Sequence, residues 1–312
     1  MRHLATLHPM PPYNFPLLLD FLTRFAHPTL NIVADGAFWR VVKSVDGLAL
    51  LRVTGSGAPD MPRLDVHVAA SRGTVDDTEL LDTIQHVLPL THQWNGFYDA
   101  AQLDMGLWAV VAPLLGLPEI RTATVFEALM QTVIEQQISW VTAQKAQRWL
   151  VEWAGNTIEY TGRVHFAFPT PSQIAAATVD DLLPLKITFK RMALMIDLAA
   201  QIANGTLDVE RLGQLSPTEA YQRLTAIKGI GHWTAAVTLE RAFGYTDWVA
   251  YNDLVLQAAT NRYLLGGSGR IPPELVAQTF ARYDEHAGIA ARYTMFRWVF
   301  EQYPPRTDTP NG

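Results

Sequence analysis

Between about residues 30 and 105 the apolar positions fall in short alternating or continuous runs. Ala37-Phe-Trp-Arg-Val-Val, Leu48-Ala-Leu-Leu-Arg-Val and Leu64-Asp-Val-His-Val are separated by Gly, Pro and Asp, the pattern of β-strands with turns between them. An amphipathic stretch from Phe15 to Phe25 predicts a helix ahead of them. From Leu103 onward the period is helical to the end. It predicts helices over 103–115, 123–135, 139–154, 172–178, 179–183, 188–204, 217–227, 232–243, 251–264, 273–281 and 288–302. Thr170-Pro-Ser-Gln and Ser216-Pro-Thr-Glu mark two of the starts as capping arrangements. Pro304, Pro305 and the polar residues through Gly312 predict a frayed end. The expected fold class is α+β: an N-terminal antiparallel β-sheet domain with flanking helices over 1–112, then a mainly α-helical body over 113–230 and 231–312.

Composition narrows the classes. With 312 residues, 49% of them apolar, the chain buries a sizeable core in two or three subdomains. No run approaches the roughly 18 apolar residues of a membrane span, and the first residues lack the apolar stretch of a signal peptide. The absence of cysteine excludes disulfides, thiolate catalysis and cysteine-ligated zinc or iron–sulfur clusters. A soluble cytoplasmic protein is expected. The net charge of −6 argues against a nucleic-acid partner, but it is unevenly spread. Residues 1–120 hold 7 Lys/Arg against 12 Asp/Glu, and the rest hold 17 against 18. Lys186, Lys190, Arg191, Arg223, Lys228 and Arg241 gather in the second part, as a solvated face or as a basic surface.

Residues 224–235 read Leu-Thr-Ala-Ile-Lys-Gly-Ile-Gly-His-Trp-Thr-Ala, a Gly-x-Gly turn between two helical patterns. Glycine lets the backbone turn sharply and approach another surface. The unpaired N–H groups at the start of the next helix then make an anion site suited to a nucleic-acid phosphate. Asp253 follows about twenty positions later and opens a further helical pattern, where an N-cap is the plain reading. Gln136-Gln137-Ile138-Ser139 interrupts an apolar helix, either as a cap through Ser139 or as a loop that wedges into a base stack. Most of the tryptophans belong to a core, and Trp233 is the best placed to line a pocket for a base. The nine histidines show no metal-ligand spacing, and there is no phosphate loop of the Gly-x-x-x-x-Gly-Lys type.

In order and spacing these segments resemble the helix–hairpin–helix superfamily of DNA base-excision glycosylases, of the bacterial 3-methyladenine-DNA glycosylase II type. The resemblance runs over nearly the whole chain. It is carried by Pro11-Pro-Tyr-Asn-Phe-Pro, Val125-Phe-Glu-Ala-Leu, Gln136-Gln-Ile-Ser, Phe168-Pro-Thr-Pro, Thr188-Phe-Lys-Arg, the Gly229–Gly231 hairpin and Asn252-Asp253. It implies that Asp253 is the catalytic carboxylate, stabilising the oxocarbenium character of the sugar and guiding water. It implies a hairpin of Lys228, Gly229, Ile230, Gly231, His232 and Thr234 on a DNA phosphate, and a wedge loop of Gln136, Gln137 and Ser139. It also implies a base pocket of Trp233, Val237 and Tyr251. Bifunctional relatives carry lysine where Trp233 stands, so no lyase chemistry through an amine is expected. The implied substrates are alkylated purines such as 3-methyladenine and 7-methylguanine, flipped from duplex DNA by a monomer that needs no protein partner. No cofactor is required, although a Na or K ion on the carbonyls of Thr225, Ile227 and Ile230 fits the family. Departures are Gly288-Ile-Ala-Ala-Arg-Tyr293, which lacks the family's late aromatic, Val237 in place of an aromatic, and Gln137 as a polar wedge. An oxidised-purine glycosylase and a non-catalytic damage-binding module remain the alternatives.

Overall fold

The computed structural model describes residues 1–24, 29–91 and 94–305. Strand β1 (Arg2–Leu7) and helix α1 (Phe15–Thr23) precede β2 (Ile32–Ala34), β3 (Ala37–Ser44), β4 (Gly47–Ser56) and β5 (Arg63–Arg72). Helices α2 (Asp77–Val87), α3 (Asn95–Gln102), α4 (Met105–Val111), α5 (Val125–Glu135) and α6 (Trp140–Ala154) follow, then a hairpin of β6 (Thr157–Tyr160) and β7 (Arg163–Phe166). The chain continues through α7 (Pro171–Ala175), α8 (Phe189–Ala203), α9 (Pro217–Thr225), α10 (His232–Phe243), α11 (Leu254–Leu264), α12 (Pro273–Ala281) and α13 (Ala287–Gln302).

The five-stranded sheet has the order β1-β5-β4-β3-β2, and every neighbouring pair is antiparallel. Its β3 and β4 strands are buried on both faces, which accounts for their continuous apolar runs. Phe38, Val42, Leu51 and Val53 pack beneath α1 and α2, while Trp39, Val41 and Leu50 face the other way. That second face is covered by the β6–β7 hairpin, with Trp39 5.8 Å from both Tyr160 and His165, ring centre to ring centre.

Several expectations are corrected. A strand stands at residues 2–7, and two helices lie within the stretch expected to favour strands. One of them, α2, starts on Asp76, whose carboxylate accepts from the N–H groups of Thr78 and Glu79. Leu80, Ile84 and Val87 give it one buried face at helical spacing. The helical reading from Leu103 onward is broken by β6–β7, whose turn is set by Thr161 and Gly162, both at positive φ. The last residues expected in the first helix and the expected frayed tail beyond Pro305 lie outside the described residues.

The helices form two groups. Helices α5, α6, α8, α9 and α10 share one apolar core, which includes Leu129, Leu150, Met195, Leu224 and Leu239. Helices α3 and α4, although early in the chain, share another with α11, α12 and α13, around Phe97, Leu107, Phe280 and Tyr293. The cleft between the two groups is floored by α10 and closed on one side by Phe21 of α1.

Candidate active site

The α9–α10 connection is a tight hairpin. Gly229 sits at φ +95°, a conformation that favours glycine, and a Cβ there would lie 2.9 Å from Leu194 Cδ2 of α8 and push that side chain aside. Gly231 differs. Its φ is −90°, and a Cβ there would meet no atom within 4 Å. The fold gives no reason for a missing side chain at 231, but its absence leaves the start of α10 uncovered. No side chain caps that helix, and the first intrahelical bond runs from Ala235 N–H to the Gly231 carbonyl at 3.0 Å. The N–H groups of His232, Trp233 and Thr234 therefore form a donor cluster at the positive end of the helix dipole. Exposed Lys228 sits beside it, and Ile230 anchors the turn in the core.

Thr234 is buried, whereas His232 is exposed and has both ring nitrogens engaged by neighbouring groups. His232 Nε2 lies 3.1 Å from the Val249 carbonyl, an acceptor only, so this nitrogen carries the hydrogen. Its Nδ1 is 2.8 Å from the Tyr221 hydroxyl, and the Tyr221 ring stacks at 4.5 Å on Trp248. Buried Thr234 takes a 2.9 Å bond from Gln136 Nε2. Thr234 thus offers only its backbone N–H outward, while the exposed His232 ring is held in place through both nitrogens. Of the carbonyls implied for a cation, that of Ile227 already accepts the Ile230 N–H at 3.0 Å, which leaves it one lone pair.

The loop after α5 is braced from below. Arg191 of α8 donates to the carbonyls of Ile134 and Gln136, and Gln136 also reaches the Gly229 carbonyl at 3.4 Å. Ser139 caps α6 through the Thr142 N–H, as the plain reading had it. Gln137 and Ser139 are both exposed, and Gln137 stands at φ +56°, a left-handed conformation that a non-glycine residue adopts under constraint. Of the six basic residues noted in sequence, Lys186, Lys190, Arg223 and Lys228 are exposed. Arg191 and Arg241 are not, since Arg241 forms a bidentate pair with Glu135 at 2.7 and 2.8 Å.

Asp253 stands at the mouth of the cleft as the N-cap of α11. Its Oδ1 accepts from Val255 N–H at 2.8 Å and Leu256 N–H at 3.0 Å. Its Oδ2 accepts from Trp233 Nε1 at 3.1 Å. The cap and the position that the resemblance implies to be catalytic thus fall on one residue, and the Trp233 indole is bonded to that carboxylate. The cleft behind them has a volume of about 280 Å³ and a mostly apolar wall that includes Trp233, Val237, Trp248 and Met295. Tyr251, expected in that wall, instead packs with Val249 against the core of α3, α4 and α11. Trp140 at the start of α6 and Trp298 of α13 supply aromatic surface that motif reading missed.

No protein-family model matches the chain. The DNA-3-methyladenine glycosylase of Bacillus subtilis (strain 168) is 32% identical over 178 residues, which cover 57% of this chain and 59% of that enzyme. DNA-3-methyladenine glycosylase 2 of Escherichia coli (strain K12) is 28% identical over 81% of this chain and 85% of its own length. The 3-methyladenine DNA-glycosylase of Archaeoglobus fulgidus superposes with a TM-score of 0.79 over 96% of this chain and 98% of its own, at 22% identity. In sequence the chain is similar to these DNA-3-methyladenine glycosylases, and in fold to the Archaeoglobus enzyme. That superposition shows that the α+β fold is shared. The match to the Bacillus subtilis glycosylase spans about three fifths of that enzyme's length.

Proposed function

We propose that this chain is a monofunctional DNA glycosylase that turns an alkylated purine, such as 3-methyladenine or 7-methylguanine, out of duplex DNA and hydrolyses its N-glycosidic bond. The carrying observation is the carboxylate of Asp253 at the mouth of an aromatic-walled cleft, held by three N–H donors. The names of the Bacillus and Escherichia relatives support the substrate class.

In this reading the N–H groups at the start of α10 hold a backbone phosphate, with Lys228 adding charge, and the enzyme acts as a monomer. Gln137 fills the gap left by the flipped nucleotide. An alkylated purine carries positive charge and leaves as a neutral base, so little acid assistance is needed. As the bond breaks, positive charge moves to the sugar, where Asp253 stabilises it and orients the attacking water. With an indole at 233 no amine stands beside the carboxylate, and the product is an abasic site on an intact strand.

Asp253→Asn tests this. Asparagine caps a helix about as well as aspartate, so the fold and duplex binding should persist. Release of 7-methylguanine under single-turnover conditions should fall by at least about 100-fold, the usual scale for losing a fixed transition-state charge partner. Borohydride should trap no covalent adduct with the wild type. Turnover near wild type in Asp253→Asn, or a trapped adduct, would sink the assignment.

A further inference from the structure

The cleft carries more negative charge than a hydrophobic base pocket needs. Glu119, Glu135, Glu240 and Asp253 all border it, against two guanidiniums, those of Arg241 and Arg292. Three of these carboxylates are engaged on both oxygens. Asp253 is held as described, Glu135 takes Arg241 on both oxygens and Gln147 on Oε1, and Glu119 takes Arg121 on Oε1 and Arg292 on Oε2. Glu240 differs. Its Oε1 accepts from Arg292 Nε at 2.8 Å, while Oε2 takes no hydrogen bond among the described residues. Its side chain is also the most open of the three glutamates, 39% exposed against 12% for Glu119 and 13% for Glu135.

The position of Glu240 suits the far edge of a base. Trp233, Val237 and Glu240 follow at i, i+4 and i+7 on one face of α10, and all border the cleft. Glu240 therefore lies two turns further along α10 than the indole that touches Asp253. Helical side chains lean toward the N-terminus, which aims this carboxylate back up the cleft. Arg292 is buried and further fixed by the Gly244 carbonyl at 3.2 Å, so Glu240 is oriented from behind.

Resting on the glycosylase reading above, we infer that Glu240 is a specificity residue: its free oxygen faces the flipped base, accepts a ring or amino N–H, and favours cationic N-alkylpurines over neutral lesions. A carboxylate in a cleft walled mostly by apolar side chains attracts a cation more strongly than it would in bulk water once the base fills the cleft. Toward a neutral base it offers only an acceptor. The preference thus comes from charge, beside a stretch of α13, Gly288–Arg292, that carries no aromatic side chain.

The test compares single-turnover excision of 7-methylguanine and of neutral hypoxanthine from otherwise identical duplexes. In Glu240→Gln, which keeps an oxygen for Arg292, the cationic-to-neutral rate ratio should fall about tenfold with an unchanged melting temperature. Glu240→Asp, which keeps the charge, should restore part of the ratio. An unchanged ratio, or equal losses on both lesions, would overturn the inference and leave Glu240 as a brace for Arg292. Should Glu240→Gln unfold, Glu240→Ser, which also removes the charge, replaces it: a lowered cationic-to-neutral ratio supports the inference, and an unchanged ratio or equal losses on both lesions overturns it. Wild-type protein that releases neither base would instead refute the glycosylase reading, and the role of Glu240 would fall with it.

Discussion

Asp253 caps α11 through Oδ1, while its Oδ2 is turned to the cleft and meets the Trp233 indole. Capping and chemistry do not compete, because a cap needs only one carboxylate oxygen. The indole then has two separable functions: a ring surface in the pocket and a hydrogen-bond donor that fixes the second oxygen. Trp233→Phe separates them. Phenylalanine keeps an aromatic face and removes the N–H, so a carboxylate oxygen loses a partner worth roughly 1–3 kcal/mol. Excision of 7-methylguanine should slow by about tenfold, while duplex binding and melting temperature stay close to wild type. Single-turnover rates measured beside a thermal melt check this, and a rate equal to wild type would mean that the indole does not position Asp253.

The hairpin shows why two glycines in one motif need not have one cause. Gly229 is required by its positive φ, and a Cβ there would also press on the Leu194 side chain. Gly231 has neither constraint, so the demand on it comes from whatever approaches the start of α10. Gly229→Ala should cost stability, on the order of 1–3 kcal/mol for a forced left-handed residue. Gly231→Ala should leave stability within about 0.5 kcal/mol of wild type and weaken duplex binding several-fold. Urea unfolding and a DNA titration at fixed salt separate the two, and a large stability loss at 231 would contradict the account. Such local features were legible in sequence, because turns, caps and helical periods are written in adjacent residues. The strands β3, β4 and β5, the Ser216 and Thr170 caps and the hairpin are of this kind. The β6–β7 hairpin was legible in principle, through Thr161-Gly162 between alternating residues, but four-residue strands are weak against a long helical pattern. The cleft wall was not legible. Trp140, Glu240 and Trp298 come from α6, α10 and α13, and only packing brings them to one place. Likewise, nothing around His232 in sequence announces that Tyr221 and Val249 hold both its ring nitrogens.

At the scale of the molecule, the sheet and the helical body are joined by a buried ion pair. Arg40 of β3 donates through Nη2 to both oxygens of Glu127 on α5, at 2.8 and 2.6 Å, with side chains 2% and 3% exposed. Helix α5 ends at Glu135, beside the cleft, and runs directly into the Gln136–Gln137 loop. The sheet therefore bears on the site through this helix. Two buried charges cost much desolvation, so the intact pair adds little net stability, yet removing one partner strands the other without compensation. The expected outcome is asymmetric. Arg40→Met or Glu127→Leu alone should each destabilise the fold by about 3–5 kcal/mol. The double variant, with two apolar side chains facing each other, should recover most of that loss. Urea unfolding of the three variants and the wild type gives the coupling energy directly. If the single losses simply add in the double variant, the joint is held by packing around Leu30 and Phe126 and not by the pair. If the double variant is stable but excises 7-methylguanine slowly, the pair's role is to set where α5 delivers Glu135 and the loop, a positional task that apolar contact does not reproduce.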